Sequence, residues 1–148
     1  MRILNISYAL PSQEVSNDNL IEEIVEKNRK NLSAKELENV ETQMRRFFKM
    51  SGTVTRYHRG IGERALDFAV KAGKAALKKA GVKPEEVDLL IYAGVARGWM
   101  EPATANLFQS ELGLKSATCF DVMDACASWI RSLAIAKSFL AQKAYKLV

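Results

Sequence analysis

The chain has little of what would announce a metal site, a disulfide scaffold or a membrane anchor. Its 148 residues hold one histidine, His58, and two cysteines, Cys119 and Cys126. Two cysteines cannot build a disulfide framework, and their spacing with a lone histidine matches no zinc pattern. The thiols are therefore expected to be reduced, in a cytoplasmic protein. No apolar run approaches the roughly 20 residues of a membrane span. The opening residues MRILNISYAL carry one arginine before a short mixed run that meets Pro11, which fits neither a secretory signal nor a span. No internal repeat or low-complexity segment is present.

What remains is the composition of an ordinary soluble domain, 48% apolar and 26% charged, enough to bury one core. Lys and Arg outnumber Asp and Glu by 22 to 17. Many of these bases fall between Lys27 and Arg59, among them Arg45, Arg46, Lys49 and Arg56. Aromatic stacking residues are not interleaved with them and no nucleic-acid motif occurs, so DNA or RNA binding is not expected. An acidic partner protein or a phosphorylated substrate suits the same field better.

Along the chain, strands alternate with helices. Ile3 to Ala9 reads as a first strand ending at Pro11, followed by a polar helix from Asn19 to Lys30. Ser33-Ala34-Lys35-Glu36 has the spacing of a capping box and opens a second helix to Met50. Ser51 to Glu63, with Gly52, Gly60 and Gly62 at no regular period, reads as a loop. Alanines and Phe68 recur at helical spacing from Arg64 to Ala80, with Gly81 placed to cap the helix end. Val87 to Val95 is the continuous apolar run of a strand covered on both faces, which favours parallel pairing. Pro102 suits the first turn of a helix ending before Gly113, and Ala117 to Val122 is a further strand.

From Cys126 onward Trp129, Ile130, Leu133, Ile135, Phe139 and Leu140 leave only a thin polar stripe, so this helix is expected to be buried on most sides. Tyr145 to Val148 begin a new apolar run and stop, which reads as a strand cut short. The pattern predicts an α/β layered architecture with a largely parallel sheet, one domain over residues 1–148 that ends before its last strands.

Cys126 falls between the last full strand and the buried helix. Unpaired amides at that helix end would stabilise a thiolate and could hold the oxyanion formed when a thioester carbonyl is attacked. From position alone Cys126 is either such a nucleophile or a small buried hydrophobe. Cys119, within the strand pattern between Thr118 and Phe120, reads as core filler. His58 reads as a surface residue of the basic loop.

The segment Asp121-Val122-Met123-Asp124-Ala125-Cys126-Ala127-Ser128-Trp129 resembles the active-site cysteine segment of the ketoacyl-acyl-carrier-protein synthase III family. Met50 to Arg56, with Ser51-Gly52 and Arg56, resembles the family's Thr-Gly-Ile-x-x-Arg stretch. Glu101-Pro102-Ala103-Thr104-Ala105 resembles the segment before its pocket-lining helix. Asp88 to Val95, Leu112-Gly113 and Phe120-Asp121-Val122 fall in family order. The resemblance covers nearly the whole chain and implies the first pseudo-symmetric half of a thiolase fold, a homodimer, and acyl transfer onto Cys126 followed by Claisen condensation. It implies acyl-CoA and acyl or malonyl carrier protein as substrates and partners, with no cofactor, no metal, no nucleic acid and no membrane.

Three departures bear on the implied site. Arg46 stands where the fatty-acid-initiating members stack a Trp on the coenzyme A adenine, and Met50 replaces an Arg beside the Thr-Gly. Arg46 and Arg56 are the substrate-binding candidates. Ser128 replaces the Gly usual two residues after the cysteine. Glu101 replaces an apolar residue and looks like the Glu-Pro of the head-to-head acyl-CoA condensing thiolases, in which that Glu acts as a base across the dimer. Glu101 could equally complement the start of the following helix. The family's catalytic His and Asn come from its second half, so this chain alone is expected to accept an acyl group poorly and to condense nothing. A non-catalytic partner subunit of a condensing enzyme is the alternative from another class.

Overall fold

The computed structural model describes residues 1–95 and 101–148. The chain divides into two compact units, Leu10–Ala65 and Met1–Ala9 together with Leu66–Val148.

In the smaller unit, strand β1 (Gln13–Ser16) leads directly into helix α1 (Asn17–Asn28), helix α2 (Ala34–Ser51) follows, and strand β2 (Thr55–His58) returns to pair antiparallel with β1, Gln13 opposite His58 and Ser16 opposite Thr55. Each helix has a side-chain cap. Ser16 Oγ accepts from the Asn19 amide at 3.1 Å. At the start of α2 the box read from the sequence is present: Ser33 Oγ accepts from the Glu36 amide, and the Ser33 amide donates to Glu36 Oε2 at 2.8 Å. Arg45 ties α2 to α1 by pairing with Asp18 at 2.6 Å. The β1 and β2 pair was not foreseen. Neither QEVS nor TRYH has an apolar strand pattern, and the sequence placed β2 inside a loop. Polar side chains instead hold the corner, with Asn17 Nδ2 donating to Thr53 O at 2.8 Å and Arg56 donating to Ser16 O at 3.2 Å.

The larger unit holds almost all of helix α3 (Ala65–Ala80), then strand β3 (Leu89–Gly94), helix α4 (Thr104–Leu112), strand β4 (Thr118–Met123) and helix α5 (Ser128–Ala141). As the apolar run at Leu89 predicted, β3 and β4 pair in parallel, from Leu89 opposite Thr118 to Gly94 opposite Met123. Leu89 is fully buried, and Val87, Leu114 and Ala117 form a core cluster with Leu77, Val82, Leu90 and Leu112 packed on it. Gly81 ends α3 at a φ of 67°, the left-handed conformation that its lack of a Cβ permits.

Two expectations change here. Ile3 to Ala9 forms no strand among the described residues, and Ile6 and Tyr8 stand 66% and 79% exposed. An apolar run specifies a wish for burial but not the partner that satisfies it. Helix α5 is not buried on most sides either. Its packed stripe is Ser128, Ser132 and Ala136, four residues apart and all small, which lets the helix lie close on β3 and β4. Trp129 and Ile130 point away and are 56% and 66% exposed. The segment after α5 runs beside the start of β3: Leu147 O accepts from the amides of Asp88 and Leu89, and Asp88 Oδ2 accepts from those of Lys146 and Leu147. No helix among the described residues is long and apolar enough to cross a membrane.

The capping box makes a pH-dependent contribution. The Ser33 hydroxyl and amide hold the Glu36 carboxyl below its ordinary range. A lowered folded pKa means that the stabilisation is present above the unfolded value of about 4.3 and is lost as pH falls through the folded value. Ser33→Ala is expected to cost about 1 kcal/mol at neutral pH. In urea titrations the difference between parent and Glu36→Ala should shrink as pH falls from 7 towards 3; a difference that holds constant would contradict this account.

Candidate active site

Parallel pairing places the carboxyl ends of β3 and β4 at one edge of the sheet, and the chain leaves β4 there through Asp124 into a single 3-10 turn, Ala125–Ala127, before α5 begins. Cys126 is the middle residue of that turn and is exposed. It therefore lies two residues before α5, at the helix's amino end, rather than within it. Ala125, immediately before it, has a φ of 44°. A residue with a Cβ pays about 1–3 kcal/mol to sit in such a region, so the surrounding bonds must hold it there.

Those bonds come from Ser128, which is 3% exposed. Its Oγ accepts from the Asp124 amide at 2.8 Å and shares its one proton between the carbonyls of Ala125 and Gly94, each at 2.8 Å. The turn is thus closed on itself and fastened to the last residue of β3. On the outer side the Asp124 carboxylate pairs with Arg131 across the first turn of α5.

Asp121, in β4, organises the neighbouring segment. Its carboxylate accepts from the amides of Thr104 and Ala105 at 2.9 and 2.8 Å, capping α4 from across the sheet in place of a local cap residue. Glu101 lies three residues before α4, exposed, with no hydrogen bond to any described residue. The amides of Thr104 and Ala105 at that helix end are taken by Asp121.

The remaining candidates separate clearly. Cys119 is partly buried, its thiol donating to Gln109 Oε1 at 3.4 Å, and burial pushes its pKa up, the opposite of what a nucleophile needs. Arg46 is exposed on α2 in the smaller unit, and His58 is exposed at the end of β2. Arg56 is engaged within that unit: besides Ser16 O it donates to Asn17 Oδ1, and its guanidinium lies 4.6 Å from the centre of the Phe48 ring. The structure thus places Glu101 and Cys126 in one unit and both arginines in the other. Reading the sequence missed Asp121 as a cap, and it took Ser128 only as a substitute for Gly; a hydroxyl two residues beyond a strand-to-helix cysteine was the available signal.

The family profile described as the thiolase N-terminal domain matches residues 57–148. The chain belongs to the thiolase family, and the part of the fold it contains is that amino-terminal domain. Within the family its relatives are ketoacyl synthases of type III. It is 32% identical over 139 residues to the β-ketoacyl-[acyl-carrier-protein] synthase III of Ehrlichia ruminantium, an alignment that covers 94% of this chain and 39% of that one. The crystal structure of 3-oxoacyl-[acyl-carrier-protein] synthase III from Aquifex aeolicus superposes with a TM-score of 0.75 at 29% identity, over 96% of this chain and 41% of that one. OleA from Xanthomonas campestris, in its cerulenin-bound crystal structure, shares the fold, with a TM-score of 0.76 at 24% identity over 97% of this chain and 40% of that one. The chain spans 25% to 39% of the length of such curated relatives.

Asp121 provides a test of this geometry. Asp121→Asn keeps one acceptor and loses the charge that two amides address, which is expected to cost about 1–3 kcal/mol of stability in urea unfolding. A loss below about 0.3 kcal/mol would mean that α4 does not depend on this cap.

Proposed function

We propose that the protein to which this chain belongs is a ketoacyl synthase III-like acyltransferase, with Cys126 as the residue that takes up the acyl group. The observation that carries the reading is the exposed Cys126 thiol, held in a strained turn at the amino end of α5, in a chain whose relatives are β-ketoacyl-[acyl-carrier-protein] synthases III. The Cys126 thiolate attacks the carbonyl carbon of an acyl thioester. The carbonyl oxygen takes the negative charge, and the Cys126 amide stabilises it, those of Ala127 and Ser128 being bonded to the carbonyls of Asp124 and Ala125. The sulfur–carbon bond of the donor then breaks, the donor leaves as a thiol once protonated, and an acyl-Cys126 thioester remains.

In the second half-reaction a malonyl thioester loses carbon dioxide. The carbanion so formed attacks the acyl-Cys126 carbonyl, the new carbon–carbon bond forms, and the Cys126 thiolate is released. The donor is an acyl-CoA or an acyl carrier protein and the extender a malonyl carrier protein, in fatty-acid or related lipid synthesis in the cytoplasm, with no bound cofactor. In this reading the enzyme works as a homodimer. Arg46 and Arg56, both of the smaller unit, are the substrate-binding residues of this reading. Replacing Cys126 by Ala in the natural-length protein is expected to abolish product formation, at least about 10⁴-fold. Cys119→Ala should retain it. Equal turnover in the parent and the Cys126 variant would refute the assignment.

A second reading is favoured by one observation, the exposure of Glu101 three residues before a helix whose first amides are capped by Asp121. A base at that place could remove the α-proton of a second acyl thioester, so that two acyl chains condense head to head with no decarboxylation before carbon–carbon bond formation. Glu101→Gln should then leave acylation of Cys126 unchanged while stopping condensation of two acyl-CoA molecules. Retained condensation in that variant would return the extender to malonyl thioester.

A further inference from the structure

The Cys126 turn poses a mechanical problem. Ala125 holds a left-handed φ of 44°, which an alanine leaves readily unless its neighbours forbid it. The turn also has to keep a fixed distance from the end of β3, because a carbonyl carbon attacked by the thiolate must be met within about 0.5 Å of the productive position. No cap residue of the ordinary kind is present: Ala127 precedes α5 and offers no side-chain hydrogen bond.

We propose that Ser128 is a positioning residue for Cys126, its buried hydroxyl holding the left-handed turn closed and registering it on the carboxyl end of β3. The proposal rests on Cys126 being the acyl acceptor. The hydroxyl acts here as both donor and acceptor. It accepts from the Asp124 amide before the cysteine and donates to the Ala125 carbonyl beside the cysteine and to the Gly94 carbonyl of β3. Two of those groups immediately precede the cysteine and the third ends the neighbouring strand, while Ser128 itself follows the turn. With the hydroxyl removed, the Asp124 amide loses its acceptor and Ala125 loses the bond that opposes its relaxation to negative φ. Ser132, one turn further along the same buried stripe, has a hydroxyl without a partner among the described residues. The difference between the two serines sets bonding apart from mere size: Ser132 fits because it is small, whereas the Ser128 hydroxyl both donates and accepts.

The test compares Ser128→Ala, Ser128→Thr and Ser132→Ala in the natural-length protein, by two measurements. One is hydrogen exchange of residues 124–127. The other is the single-turnover rate of acyl transfer from an acyl-CoA to Cys126, followed by mass. Ser128→Ala is expected to speed exchange of the Asp124 amide at least about tenfold and to slow acylation by about ten- to a hundredfold, as small displacements of reacting atoms do. Thr, which restores the hydroxyl, should recover both, and Ser132→Ala should change neither. Unchanged exchange in Ser128→Ala overturns the proposal. So does faster exchange with a parental acylation rate, which leaves Ser128 a purely structural residue. If the parent itself takes no acyl group on Cys126 while exchange still responds to Ser128, the acyl-acceptor reading fails, and the proposal that rests on it fails with it.

Discussion

Parallel pairing of Leu89–Gly94 with Thr118–Met123 is the constraint from which the candidate site follows. In a parallel pair both strands run the same way, so both carboxyl ends reach the same edge, and the connecting segments must cross back over the faces of the sheet. Gly94 ends one strand and Asp124 follows the other. The chain has four residues, 124–127, in which to reverse from extended strand to α5. So short a turn leaves Cys126 exposed and puts Ala125 in a left-handed conformation. An antiparallel arrangement would have separated Gly94 from the turn and removed the bond by which Ser128 joins them.

Two polar side chains stabilise that edge, and each does so by satisfying backbone groups that would otherwise lack partners. Asp121 supplies a charge to the first amides of α4 from the middle of β4, fixing where the segment after Glu101 enters its helix. Ser128 does the equivalent for the turn around Cys126. Both act at the level of backbone geometry, and the chemistry proposed for Cys126 inherits its precision from them. The apolar packing beneath is of a different kind: small residues on α5 allow the helix to lie near the sheet, and the large side chains Trp129 and Ile130 are left facing outward.

Much of this was legible in the residues, and the exceptions have physical reasons. The capping box at Ser33 and Glu36 and the left-handed Gly81 are local, so a few residues determine them, and both occur as read. The apolar run of β3 announced a covered strand and hence parallel pairing. The segment Ile3 to Ala9 has the same apolar character but no partner strand among the described residues, since periodicity says which face wants burial and nothing about what will cover it. The β1 and β2 pair escaped because its corner is held by Asn17 and Arg56, whose long-range hydrogen bonds leave no periodic trace. Cys126 was singled out as a candidate by its place between strand and helix and by the motif around it. Ala125 carries no conformational preference that would mark a positive φ, and the role of Ser128 depends on a carbonyl 34 residues away in sequence.

The central claim is that the Cys126 thiol takes up an acyl group. It is tested most directly by incubating the natural-length protein with a panel of acyl-CoA thioesters, measuring its intact mass and mapping any modified peptide. The account predicts a gain of one acyl group on the peptide containing Cys126, lost on treatment with hydroxylamine. No gain with any donor, coenzyme A or carrier protein, or a gain mapped to Cys119, would contradict it.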